Sequence, residues 1–376
     1  MTSKVQAQMS DSLFRIALNA LSDKSGDSAV VSPFSIGMAL AALNVGAKGN
    51  TSQEITEAAF GGIPKNQITA WFREQLEQIQ DVGDEEKSPL STASGIYLDE
   101  SLTAVEKFRI DLAQNFDSKF EKVDFAKDPE TQRAALNEFV KQATKDEIPE
   151  LFSASDITND TKVVILNAMY LASAFTSSFS EENTKDAEFF NEDGSTKEVL
   201  TMSGTKEGQF HETEDFALAQ LPFQDHGFSF FFLVPKTGTL EELKGQLFSS
   251  SDAFSSTLGS VRNIPRIHLS VPTFKVEASY ALKDALQRQG IVEVFESGKA
   301  DLTGISEDPL NVSGVIHKAV FDLHEGGVKA AAATAIVAMR CLMMPMEPEE
   351  RTIKADRPFL YGVAYNGAPL FVGQYY

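Results

Sequence analysis

The stretch VKAAAATAIVAMRCLMM, residues 328–344, is the strongest constraint on how this chain can fold. From Ala330 to Leu342 it holds six alanines and one charge, Arg340. Three structures could use such a run. A buried helix is the first, since alanine favours helix. A membrane span is the second, but Lys329 and Arg340 interrupt it, and a charge inside a bilayer is expensive. The third is a strand that forms only in a later state of the molecule. Taken alternately, Val328, Ala330, Ala332, Thr334, Ile336 and Ala338 are all uncharged and small or β-branched, fit to face a crowded core. The other parity begins with Lys329 and suits solvent. No proline interrupts 328–344, so every N–H is free to join a ladder. Gly326 and Gly327 give the upstream backbone room to swing, and PMEPEER downstream is poor at regular structure. A flexible proximal end, an insertable body and an exposed distal arm describe a bait loop.

The rest of the chain must supply the sheet that receives it. Of 376 residues, 42% are hydrophobic and 10% aromatic, enough for a large core. Length alone suggests two domains, but there is no repeat, tether or change of composition at a boundary, so a single domain over 1–376 is expected. Asp and Glu number 54 against 33 Lys and Arg, a formal charge of −21. That field repels phosphate backbones and anionic membranes, so neither nucleic acid nor membrane is an expected partner. A lone cysteine, Cys341, excludes an internal disulfide. The first residues, MTSKVQAQMSDSLF, show no signal-peptide pattern, which suggests a cytoplasmic protein, with later extracellular release left open.

The first part reads helical. Leu13, Phe14, Ala17, Leu18 and Leu21 form one apolar stripe. Ser32 caps a helix with Pro33 in its first position and Gly46 near its stop. Ser52 caps another that ends at Gly61, and a further helix from Pro129 runs to about Pro149. Later segments are short and strand-like. Val163–Ile165 reads as a strand buried on both faces, RIHLSVPTFKV as one strand, and Asn366-Gly367 as a hairpin turn. Ser279–Gly290 reads as a helix with a C-terminal glycine. Helices first and strands later indicate an α+β fold.

No enzyme motif emerges. GAKGNTS at Gly46 has its lysine misplaced for a phosphate loop, and GxGxxG, GxSxG and HExxH are missing. Histidines 211, 226, 268, 317 and 324 are scattered, and neither HETED nor HEGGV has the second histidine that zinc requires. Cys341 adjoins Arg340 but otherwise sits among Met and Leu, a poor setting for a thiolate nucleophile. No catalytic residue, metal or cofactor is expected, and the chain is not read as an enzyme.

Six segments in order resemble the serpin family: SPFSIGMALAALNVGAKGNTSQEI, NAMYLASAFTSSF, VPTFKVEASYALKDALQRQGI with FESGKADLTGIS, VIHKAVFDLHEGGVKAAAAT, IKADRPFLYGV and GAPLFVGQYY. The resemblance spans nearly the whole chain. It implies three β-sheets, about nine helices, an exposed reactive-centre loop over about 325–356, and a metastable monomer. It also implies suicide inhibition. A protease cuts the loop, an acyl-enzyme forms, and the loop inserts as a new central strand of the main sheet before hydrolysis can finish. Strand addition of this kind is a known use of serpin loops.

Carried over by motif, Ser32, Ser35, Asn167 and His317 form a polar shutter under the opening point of that sheet. Glu325, Gly327, Val328, Ala330, Ala331, Ala332, Ala333 and Thr334 form the hinge. Counting from Glu325 as the family does puts the scissile bond at Cys341-Leu342, in a window of Arg340, Met343 and Met344. Arg340 would draw trypsin-like proteases; Leu342, Met343 or Met344 would draw chymotrypsin-like ones; Leu342 before a cut at Met343 would suit papain-like (cathepsin-like) cysteine proteases, which have an apolar neighbouring pocket. Several positions depart from the pattern. Val328 and Lys329 replace the usual Thr or Ser and Glu, Phe175 replaces a Trp, and Thr273 stands where a cation commonly pairs with the hinge glutamate. Lys275 is then the candidate partner for Glu325. Val328 and Lys329 keep open an alternative, a non-inhibitory relative acting as chaperone, carrier or storage protein.

Overall fold

The helix α1 (Ser3–Leu21) buries the expected stripe, and α2 (Pro33–Gly46) is buried nearly all round, as its composition requires. The Ser32 hydroxyl caps α2 by accepting the Ser35 N–H. This computed structural model describes residues 3–82, 89–329 and 349–376. α3 (Gly49–Phe60) begins earlier than the expected Ser52 cap, because Lys48 occupies the cap position and the Ser52 hydroxyl donates instead to Asn44 Oδ1 at 2.7 Å. It ends on Gly61 at φ +59°, the left-handed geometry that favours glycine. α4 (Lys65–Gln80) and α5 (Glu106–Phe116) follow. α6 (Pro129–Ala143) stops short of Pro149, since Lys145 and Asp146 turn left-handed. With α7 (Leu240–Ser249), α8 (Ala253–Gly259) and α9 (Lys283–Gln289), nine α-helices lie among the described residues.

Strands form two hydrogen-bonded networks. The first has nine strands in the order β1 (Ala29–Val31), β16 (Ala368–Tyr375), β15 (Phe359–Tyr365), β9 (Phe228–Pro235), β8 (Phe216–Pro222), β7 (Thr196–Glu212), β10 (Arg262–Pro272) and β14 (Glu350–Lys354), with β6 (Thr184–Phe190) also on β7. The start of β7 pairs with β6 and its end with β8, and β10 carries a bulge between Ile264 and Ile267. Two of the three expected sheets are therefore limbs of one ladder, joined through these long strands.

The second network holds β3 (Lys119–Val123), β2 (Leu90–Asp99), β4 (Val163–Leu171), β12 (Ile316–His324), β13 (Gly327–Val328) and β5 (Ser173–Ala174), with β11 (Phe274–Ala281) on the other edge of β12. The segment expected as one strand around Pro272 is two, β10 and β11, which break at Thr273 and enter different sheets. The helix expected from Ser279 starts at Lys283. Phe274, Val276, Ala278 and Tyr280 alternate inward, and that period of two keeps Ser279–Ala281 in the strand.

β4 is buried along its whole length. Val163, Ile165, Met169 and Leu171 join the main core with α1 and α2. Val164, Leu166 and Ala168 join a smaller core on the opposite, outer face, where Leu136 and Val140 of α6 and Ile148, Leu151 and Phe152 of the following segment cover the sheet. No described helix is long and apolar enough to cross a membrane.

Candidate functional site

β4 and β12 run parallel and are paired at only four positions, Leu166 with Ile316 through Met169 with Ala319. Above Ala319 they diverge. In the gap sits β13, antiparallel to β12 through Leu323–Val328 and His324–Gly327, and antiparallel to β5 through Ala174–Gly327 and Ser173–Val328. Since β5 follows β4 along the chain, β13 is a two-residue wedge in a seam that is closed below and open above. A parallel pair is slightly weaker per residue than an antiparallel one, so a strand continuing β13 would replace a weaker contact by two stronger ones.

The four residues assigned to the shutter meet where the closed part of the seam begins. Asn167 and His317 face each other in the β4–β12 register. The Ser32 N–H donates to His317 Nε2 at 3.0 Å, and the Ser32 hydroxyl donates to the Leu370 carbonyl at 2.8 Å. The Ser35 hydroxyl donates to Asn167 Oδ1. His317 is 1% exposed, and burial pushes its pKa down to about 3. Because Nε2 accepts, the ring proton sits on Nδ1, which has no partner among the described residues; nor have Asn167 Nδ2 and the Tyr280 hydroxyl, one strand across. Sequence reasoning missed two members of this cluster, Met169, whose sulfur lies 3.3 Å from the Ser32 hydroxyl, and the Leu370 carbonyl. A backbone acceptor leaves no compositional signal.

Of the hinge, Glu325, Gly327 and Val328 are described; Ala330, Ala331, Ala332, Ala333 and Thr334 lie outside the described residues. So do Arg340, Cys341, Leu342, Met343 and Met344 of the scissile window. Val328 is 2% exposed and packs into the main core. Gly327 has φ +137°, and a Cβ there would meet the Ser173 carbonyl oxygen at 2.3 Å and the Ala174 Cα at 2.9 Å. Neither backbone atom can yield. Gly327→Ala should therefore expel the wedge and cost about 1–3 kcal/mol, lowering the melting temperature at about 2–4 °C per kcal/mol; an unchanged scan would show that β13 accommodates the methyl group.

Lys275 is not the partner of Glu325. It stands opposite Asp322 on the outer face, 3.9 Å from that carboxylate and 3.6 Å from Glu147. Glu325 forms no ion pair among the described residues, and its carbonyl accepts the Phe179 N–H at 2.8 Å. Thr273 binds the Leu200 carbonyl through its N–H at 2.8 Å. Phe175 is buried and stacks on Phe223 with centroids 5.2 Å apart, so aromatic packing survives without an indole N–H.

After residue 348, β14 pairs in parallel with β10. Arg262 holds Glu349 through two bonds at 2.6 and 2.8 Å, and Glu350 lies 2.9 Å from Arg266 and 3.0 Å from His268 Nε2. The described chain thus stops at Lys329 beside the second network and resumes at Glu349 beside the first. Among the described residues no group of three or more His, Cys, Asp or Glu is placed to hold a metal ion.

Residues 9–376 match the family model described as serpin (serine protease inhibitor). Among curated proteins, the chain is 33% identical over 384 aligned positions to a leukocyte elastase inhibitor of Equus caballus, covering 96% of each chain. It is 31% identical to Iripin-2 of Ixodes ricinus, over 91% of this chain and 86% of that one. Among solved structures, the thermophilic serpin tengpin in its native state superimposes with a TM-score of 0.86 over 100% of this chain and 94% of the other; at 21% identity this likeness is one of fold.

Proposed function

Because this chain belongs to the serpin family, we propose that it is a single-domain, monomeric protease inhibitor that works by suicide trapping. A target protease cuts the 330–348 segment, in the window Arg340–Met344 with Cys341-Leu342 as the central choice. The freed strand then extends β13 down the seam between β4 and β12. The observation that carries the reading is the partly open seam: four closed parallel pairs below, and a two-residue antiparallel wedge already seated above. A half-open cavity of about 470 Å³ lies at the lower end of the same strands, lined by Val163, Ile165, Gly314 and Ile316 together with Phe152 and Thr158 of the segment after α6.

Energetics favour the direction. Full insertion forms on the order of a dozen ladder hydrogen bonds at ~0.5–1.5 kcal/mol net each. Burying Ile336 adds roughly 1.5–3 kcal/mol, and the alanines add less. The gross gain, ~10–20 kcal/mol, rivals the net stability of a whole domain. An uncut molecule with that gain still ahead of it is held kinetically. Shutter residues Ser32, Ser35, Asn167 and His317 then act as the gate, since parting β4 from β12 separates Asn167 from His317.

Mixing the protein with trypsin-like, chymotrypsin-like and cathepsin-like proteases should give an SDS-resistant complex with at least one of them. Mass spectrometry of the released C-terminal fragment then locates the cut. Cleavage by every member of the panel with no complex formed would defeat the inhibitory reading. The second reading, a non-inhibitory relative, is favoured by one observation: Lys329 leaves the ladder in left-handed backbone, at φ +42°, where the next strand residue would have to be extended. The two part on thermal stability after loop cleavage, which rises sharply with insertion and stays level without it.

A further inference from the structure

On the outer face of the second sheet, the strand register lines up three charges in one row. Lys275 of β11 is opposite Asp322 of β12, and the Lys329 N–H donates to the Asp322 carbonyl at 3.0 Å, which carries the row on to the hinge. Glu147 reaches onto this row from the turn that follows α6. Its carboxylate pairs with Lys329 and lies 3.6 Å from Lys275. Two cations thus meet two carboxylates at the mouth of the seam. The Glu147 side chain is only 13% exposed, so the two cations offset the cost of burying its carboxylate.

Hydrogen bonds hold the segments at both ends of the Glu147–Lys329 contact. On the Glu147 side, the Thr144 hydroxyl donates to the Val140 carbonyl at 2.8 Å and accepts the Ile148 N–H at 3.1 Å. Asn137 Oδ1 accepts the N–H groups of Leu151 and Phe152, both at 2.9 Å. The turn therefore moves with α6. On the hinge side, Val328 points into the core and Lys329 out of it, and the positive φ at Lys329 marks where the chain departs from the ladder.

We propose that Glu147 is a positioning residue that clips Lys329 to the outer face and so holds β13 seated at the mouth of the seam in the uncut molecule. The inference deepens the inhibitory reading, because a seated hinge is the starting point for insertion. Glu147 lies far from the hinge in sequence, and nothing in its local pattern marks it.

Hydrogen exchange followed by mass spectrometry on the full uncut chain tests the clip without any protease. Glu147→Gln should speed exchange at the Val328 and Lys329 amides about fivefold, the ratio that ~1 kcal/mol gives. Lys329→Gln should do the same, and the double variant should exchange no faster than either single. Lys329→Arg keeps a cation and should keep the slow exchange. Slow exchange in β15 and β16 shows in each variant that the fold is intact. Unchanged hinge exchange in both glutamine variants, additive effects in the double variant, or fast exchange in Lys329→Arg would each overturn the clip. If the clip is found and no protease is trapped, the inhibitory reading fails alone; if proteases are trapped and hinge exchange does not respond, the clip fails alone.

Discussion

Ala332→Glu should turn the protein from a trap into a substrate. Ala332 shares the parity of Val328, whose side chain lies in the main core opposite Leu323. A strand continuing β13 along β12 brings every second residue after Val328 to that same face. A carboxylate there enters the core with no cation, at a cost of several kcal/mol. Each ~1.4 kcal/mol slows the committed step about tenfold, and in the proposed mechanism insertion competes directly with hydrolysis of the acyl-enzyme. The loop should be cut as fast as in the wild type, while the SDS-resistant complex gives way to released, active protease. Ala331→Glu, on the outward parity, should still trap. Wild-type trapping by Ala332→Glu would show that the strand enters in the other register, or that it does not enter at all.

Acid should weaken the native state through His317. Burial lowers its folded pKa to about 3, against about 6.5 unfolded. Between those values the unfolded chain binds a proton that the folded chain refuses, so stability is full above about pH 6.5 and falls as the pH drops towards 3. From pH 6.5 to 4.5 this single group should remove about 2 kcal/mol. The structural cost of protonation is specific. Nε2 would become a donor facing the Ser32 N–H, at the position that closes β4 onto β12. Denaturation measured at both pH values should show that loss in the wild type and not in His317→Gln. Parallel pH slopes in the two proteins would remove His317 as the acid-sensitive group of the seam.

Local chemistry was legible wherever a residue's role follows from its immediate neighbours. The Ser32-Pro33 start, the Asn366-Gly367 turn and the doubly buried β4 all stand in the structure as their patterns indicate. The turn is a good example, since both residues have positive φ, which Asn and Gly tolerate best. Where a segment carries two patterns at once, one of them prevailed for a tertiary reason. Ser279–Ala281 could have opened a helix, but β12 offers eight paired positions along β11, and its ladder holds them. The Ser52 cap lost to Lys48 because Asn44 of α2 takes the hydroxyl.

By itself, the amino-acid sequence determined that residues 328–338 carry one uncharged parity and that 328–344 hold no proline, with two glycines just before them and two prolines just after. Those features are local, and they require only the two-residue period of a strand and the special backbone of glycine. Only the tertiary structure decided how the residues flanking that segment are paired, buried and charged. Four paired positions between β4 and β12, a histidine buried to neutrality, and a glutamate brought over Lys329 from the far end of α6 are contacts between residues distant in the chain. Such contacts depend on register and burial, which no single segment encodes.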